Sequence, residues 1–459
     1  MTNPIDAVLT RIDDAQPDAL NRLMELLRIP SISTDPAHAD DCDTAADWLV
    51  AELTHLGFEA SKRATPGHPM VVAHGGEGAR HILFYGHYDV QPVDPLDLWN
   101  RDPFDPVVEQ TSGGAVLRGR GASDDKGQLM TFLEACRAWR DETGTLPCRI
   151  TILFEGEEES GSPSLVPFLE ANADELRAEV ALICDTGLHD SRVPAIITSL
   201  RGLLGEEITV TGPDRDLHSG GFGGLAMNPA RVLTRILGGL HDDAGRVQVP
   251  DFYDGVGEVP SQILEGWSNL GFSAERFLGA VGLSDPAGEA GRTPLEMLWS
   301  RPTAEINGII SGYTGKGFKT VLPSEARAKV SFRLVGGQDP LRIRQAFRDW
   351  VIEQIPPDCQ VRFEGHGAGP ASAMTLDHAV FAAAQEALSA EWGQPARFVG
   401  AGGSIPIAGY FQTVLGMDSM LTGFGKADDQ IHSPNEKYDV ESFHKGARSW
   451  ARILANLAA

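Results

Sequence analysis

Three short apolar runs, each followed at once by residues able to bind metal, constrain this chain more than any other feature. Residues His81–Gly86 (HILFYG), Ile150–Phe154 (ITILF) and Val180–Cys184 (VALIC) are bounded by glycine or polar clusters and read as strands buried on both faces. Between the first two, Gln128–Glu142 sets Leu129, Phe132, Leu133, Cys136 and Trp139 on one helical face. The pattern is strand, helix, strand, an α/β alternation. Open α/β sheets carry their sites beyond the carboxyl ends of the strands. There the chain places His87 and Asp89, then Glu157, Glu158 and Glu159, then Asp185, so three strands direct candidate ligands to one edge.

At 459 residues the chain exceeds one ordinary core, which predicts two domains. Amphipathic helices are predicted at Asp18–Arg28 (Leu20, Leu23, Met24, Leu27) and Thr44–Leu56 (Trp48, Leu49, Leu53). From about residue 200 the texture changes. Strand Leu203–Thr211, helix Pro229–Leu240, strands Ala304–Ile310 and Arg327–Val335, helix Pro340–Ile355 and strand Cys359–Glu364 give a βαββαβ order, which suits a ferredoxin-like sandwich. Residues 242–300, rich in Gly, Pro and acids, read as an insertion with short helices at Glu275–Phe277 and Leu295–Trp299. The α/β texture then resumes, with helices Ala379–Ala390 and Val440–Leu457. The predicted division is 1–199 and 369–459 for the first domain, with 200–368 inserted.

Charge and cysteine usage narrow the partners. A net charge of −26 opposes nucleic acid and anionic membranes. The five cysteines are scattered, with no CxxC pair, which fits neither a disulfide framework nor a cysteine zinc site. The first residues lack the apolar core of a secretory signal and no stretch has the length of a membrane span, so a cytoplasmic protein is expected.

The motifs carry chemistry jointly. In His87-Tyr88-Asp89, residues two apart in an extended segment face the same side, so Asp89 can orient the His87 ring. Alone, that pair would serve equally as a satisfied core histidine. Asp124 and Asp125 precede a helix, where acids also complement the macrodipole. Four acids in the five positions Glu155–Glu159 raise one another's pKa unless cations compensate, which favours a metal ligand beside a general base over a solvated turn. Asp185 adds a carboxylate and His432 a loop imidazole. Oxygen ligands with two imidazoles suit Zn²⁺, Mn²⁺ or Co²⁺.

Taken in order, GHYDVQP, GRGASDDKG, FEGEEESGS, CDTG, DLHSGGFGG, GGSIP and IHSPNEK resemble the co-catalytic metallopeptidase family of carnosinase-type dipeptidases, aminoacylase, carboxypeptidase G and succinyl-diaminopimelate desuccinylase. The resemblance spans about residues 80–440 and implies a mixed-sheet catalytic domain with an inserted dimerisation or lid domain. It implies two divalent ions, zinc foremost, with His87 and Asp185 on one, Glu159 and His432 on the other and Asp124 bridging. Glu158 would be the general base acting on a metal-bridging water, and Asp89 the clamp on His87. His218 would stabilise the oxyanion in the neighbouring subunit of a homodimer, and Arg333 would hold the substrate carboxylate. Thr320, His366 and Ser404 fall near further substrate positions, His366 one residue off the expected spacing. The GRGASDDKGQ form, the EEESGS run and the long 242–300 segment look closest to the dipeptidase branch. Dipeptide hydrolysis is therefore the expected activity, with deacylation of N-acyl amino acids as the alternative.

Overall fold

The three apolar runs are adjacent parallel strands of one mixed sheet. In the computed structural model, which describes residues 4–190, 192–374, 378–403 and 405–458, they span His81–His87, Arg149–Glu155 and Val180–Ile183. His81–His87 lies between the other two, with Phe84 opposite Ile152 on one side and Leu182 on the other. The sheet runs Glu59–Arg63, Met70–Gly75, Arg149–Glu155, His81–His87, Val180–Ile183, Ser419–Leu421, Ala195–Leu200. Because the central strands are parallel and in register, their carboxyl ends converge, and His87 is paired directly with Glu155.

Aromatic packing fixes the helices against this sheet. Phe84 stacks on Phe132 of helix Lys126–Thr143 with ring centroids 3.8 Å apart, and Trp450 of helix Val440–Ala458 meets each edge-on at 5.5 Å. Each such ring buries on the order of 150–250 Å², several kcal/mol of hydrophobic stabilisation apiece. The same packing holds the start of helix Lys126–Thr143, and with it the Asp124 loop.

Local differences from the sequence reading have physical causes. A first helix, Pro4–Asp14, was not anticipated; it buries Ile5, Val8, Leu9 and Ile12 and is tied down by the Arg11–Asp141 and Asp13–Arg448 ion pairs. The next helix runs Gln16–Leu27 and buries Ala19, Leu23, Leu26 and Leu27, leaving Leu20 and Met24 half-exposed. Helix Ala39–His55 starts before Thr44, because Cys42, Ala45 and Ala46 continue its buried stripe. Strand Gln360–Gly369 extends past Glu364, accommodating a bulge after His366.

The chain divides into two compact units, Met1–Thr198 with Met374–Val399 and Tyr410–Ala459, and Ser199–Ala373 with Gly400–Gly409. In the second unit an antiparallel sheet runs Thr303–Ser311, Glu325–Leu334, Gly202–Thr211, Gln360–Gly369. Helices Pro229–Gly238 and Pro340–Ile352 belong to it, each starting on a side-chain cap, Asn228 and Asp339. Leu204, Ile208, Val232, Leu233, Phe332 and Phe347 share its core. This is the βαββαβ sandwich. The inserted segment contributes helices Ser261–Ser268, Ala274–Gly279 and Pro294–Trp299, the first unforeseen. Gly400–Gly409 joins this unit rather than the first, since Arg201 donates from Nε to Gly402 O at 3.1 Å and from its backbone N to Gly403 O at 3.2 Å. Among the described residues no helix is long and apolar enough to cross a membrane.

Candidate metal centre

Each ligand candidate is delivered by a different element at the carboxyl edge of the first unit's sheet. His87 ends its strand and is wholly buried. Its Nε2 lies 3.1 Å from Asp124 Oδ1, while Nδ1 lies 3.1 Å from Asp89 O and 3.4 Å from Asp89 Oδ1. The ring is therefore oriented from both sides. Asp124's second oxygen lies 2.9 Å from His432 Nε2, which lies 3.3 Å from Glu159 Oε2. Two groups result, His87, Asp124 and Asp185, and Asp124, Glu159 and His432, with the ligand atoms of each within 4.8 Å of one another. Asp124 is common to both.

The loops are held by carboxylates that accept backbone N–H groups. Asp89 takes the N–H of Glu158 on Oδ1 at 3.2 Å and that of Glu159 on Oδ2 at 3.0 Å. One side chain thus orients the His87 ring and the turn Glu158–Ser160 together. Across the site, Glu436 accepts from the N–H of Gly121, Ser123 and Asp124 at 2.8–3.1 Å and from Arg120 Nη1 at 2.8 Å. The sequence reading missed Glu436 and Arg120. Their signal was present, since each sits inside a motif already singled out, but burial is what distinguishes them from surface charges.

Clustered acids and two imidazoles shift one another's titration in this centre. Burial pushes Asp185 well above the ordinary carboxylate range, reinforced by Asp124, and raises Glu158 to about 7, with Glu159 and Asp89 adding to the effect. Asp124 moves the other way, below its ordinary value: desolvation is outweighed by the bonds to His432 and His87. His432 is raised to about 10 by those same acceptors, Asp124 and then Glu159. His87, despite complete burial, is held above its ordinary value by Asp124 and Asp89. Mutual repulsion among buried carboxylates of this kind is what a bound cation relieves. The donor set of carboxylate oxygens and imidazole nitrogens fits two divalent ions.

The remaining candidates lie in the second unit. His218 is exposed, its Nδ1 accepting from Gly220 N at 3.0 Å, and Ser219 N donates to Thr320 O at 3.1 Å, so the segments carrying His218 and Thr320 are joined. Arg333 is half-buried on strand Glu325–Leu334, opposite Leu203 and Thr303. His366 is exposed beside the bulge of its edge strand. Ser404 lies outside the described residues.

The model of peptidase family M20/M25/M40 matches residues 83–456. The chain is 30% identical to a Cys-Gly metallodipeptidase of Schizosaccharomyces pombe, over 100% of this chain and 99% of the relative. It is also 30% identical to the Beta-Ala-His dipeptidase of Homo sapiens, over 99% of this chain and 93% of the relative. The solved structure of an M20-family metallo-carboxypeptidase from Sulfolobus solfataricus is similar at a TM-score of 0.83 and 31% identity, covering 96% of this chain and 99% of that one.

Proposed function

The chain belongs to peptidase family M20/M25/M40, and we propose that it is a dinuclear metallodipeptidase that hydrolyses the amide of small peptides. The observation that carries this reading is the pair of ligand groups sharing Asp124, with Glu158 adjacent in the turn that Asp89 holds. His87 and Asp185 would hold one ion, Glu159 and His432 the other, and Asp124 both, with zinc best matched to the donor set. When bound, the two ions would supply Lewis acidity and lower the pKa of the attacking water.

The chain's own residues do the rest. Glu158 takes a proton from the attacking water and returns it to the leaving amine. Asp89 keeps His87 and the Glu158–Glu159 turn in fixed relation, so the base does not have to be ordered at the moment of reaction. In the second unit, read as an inserted dimerisation domain, Arg333 would hold the substrate carboxylate through its planar fork, and Thr320, His366 and Ser404 are carried over from the sequence pattern as further substrate-binding candidates. His218 would donate to the developing oxyanion in the neighbouring subunit of a homodimer. Exposed apolar side chains of that unit, including Leu225, Phe318, Ile309 and Ile310, support an oligomer. Five buried, unpaired thiols support a reducing, cytoplasmic setting.

The test is hydrolysis of a panel of dipeptides and N-acyl amino acids by metal-stripped protein, with and without Zn²⁺, Mn²⁺ or Co²⁺. The proposal expects metal-restored cleavage of dipeptides. Restored cleavage of N-acyl amino acids alone would transfer the activity to deacylation.

A further inference from the structure

We propose that Glu157, the glutamate left over once Glu158 and Glu159 have been assigned, is a positioning residue that fixes the turn carrying both. The inference rests on the reading of the site given above. Glu157 is 3% exposed, and a carboxylate removed from water costs several kcal/mol unless its oxygens are met. Both are met by main chain: Oε1 accepts from His68 N at 2.9 Å and Oε2 from Ser164 N at 3.0 Å. Neither ligand group of the metal centre includes it.

Those two bonds close a frame around the turn. The carbonyl of Glu157 accepts from Ser160 N at 3.1 Å and Ser162 N at 2.7 Å, so one residue holds both the near end and, through Ser164, the far end of the segment. Ser162 sits at φ 55°, a conformation that costs energy for a non-glycine residue and persists where surrounding bonds over-determine it. The anchor on the other side is firm. His68 Nε2 lies 3.0 Å from Ser33 O, and Tyr88, between His87 and Asp89, donates its hydroxyl to Pro69 O at 2.6 Å. Two carboxylates therefore grip the turn, Asp89 at its first N–H groups and Glu157 at its base.

Gly67 gives an independent handle. A Cβ there would lie 1.5 Å from Glu157 Oε1, the end of a flexible side chain, and its three nearest atoms all belong to Glu157, so alanine at 67 displaces that carboxylate.

The experiment compares the unmodified chain with Glu157→Met, Glu157→Gln, Gly67→Ala and the Gly67→Ala/Glu157→Met double variant. It measures Zn²⁺ binding to stripped protein by calorimetry, kcat and KM for the dipeptide Cys-Gly on the zinc-loaded enzyme, and the Tm of each stripped protein. Glu157→Met removes both acceptors and Gln keeps one. The expected result is a fall in kcat of about tenfold or more for Glu157→Met and Gly67→Ala, with KM little changed, weaker binding of one Zn²⁺, and Gln in between. Gly67→Ala should add little to Glu157→Met, because the two main-chain bonds it would break are already lost. A lowered Tm with unchanged kcat, KM and zinc affinity in the folded variants would overturn the proposal, as would full additivity in the double variant. If Glu157→Met does not fold, Gly67→Ala alone carries the comparison. If the unmodified chain binds two Zn²⁺ yet cleaves no dipeptide, the functional reading fails and zinc affinity still decides the role of Glu157.

Discussion

The Asp89 carboxylate accepts the backbone N–H of Glu159 at 3.0 Å, so the residue that orients the first imidazole also sets the position of a candidate ligand on a different strand's loop. Asp89→Asn keeps the shape, loses the charge and turns one acceptor into a donor facing an N–H. Partners of this kind are worth about 10–100-fold in metal affinity or activity. Calorimetric metal titration and kcat should both fall within that range; a change in neither would detach Asp89 from the site.

Metal addition should stabilise the chain. Asp185 and Glu158 are both raised above their ordinary values by burial and by neighbouring negative charge, and bound cations relieve that repulsion. Mass action alone contributes about 4 kcal/mol at a thousandfold excess over Kd. Differential scanning calorimetry of stripped protein should show Tm rising with Zn²⁺ and returning on chelation.

Stability of the stripped chain should carry a signature of Glu155. Complete burial pushes this carboxyl up to about 8 from 4.5, although Tyr85 donates to it at 2.6 Å. Between those two values the folded chain keeps a proton that the unfolded chain releases, so stability is full below about 4.5 and declines as pH rises through about 8. Glu155→Gln removes the decline. Denaturation midpoints of the two stripped proteins across pH 5–9, a range of about four units, should diverge progressively; parallel curves would contradict the assignment.

The aromatic cluster under the site should dominate local packing. Trp450 is fully buried against Phe84, Phe132 and Phe424, and Trp450→Ala should cost about 3–5 kcal/mol. Urea unfolding measures this.

The convergence of the candidate residues on one edge was readable because its strands are short, apolar and parallel, so the residues after them had one place to go. Asp185, His87 and the glutamate run needed only that topology. Helix Pro4–Asp14 was missed although its signal is in the sequence, since Ile5, Val8, Leu9 and Ile12 fall at i, i+3, i+4 and i+7; what the spacing does not give is how the helix is tied down, through the Arg11–Asp141 and Asp13–Arg448 pairs. Glu436 and Glu157 lie inside motifs the sequence singles out, but their part in holding loops shows only in the structure, because Ser123 and His68, whose N–H groups they accept, lie far along the chain. Gly400–Gly409 joined the second unit through Arg201, again by contacts to main chain.

Dipeptide cleavage by zinc-loaded Glu158→Gln beside the unmodified chain tests Glu158 as the base of a dinuclear dipeptidase. Both proteins should bind two Zn²⁺, with kcat falling roughly 10²–10⁴-fold in the variant. A variant that binds two Zn²⁺ and keeps most of its activity would contradict that role.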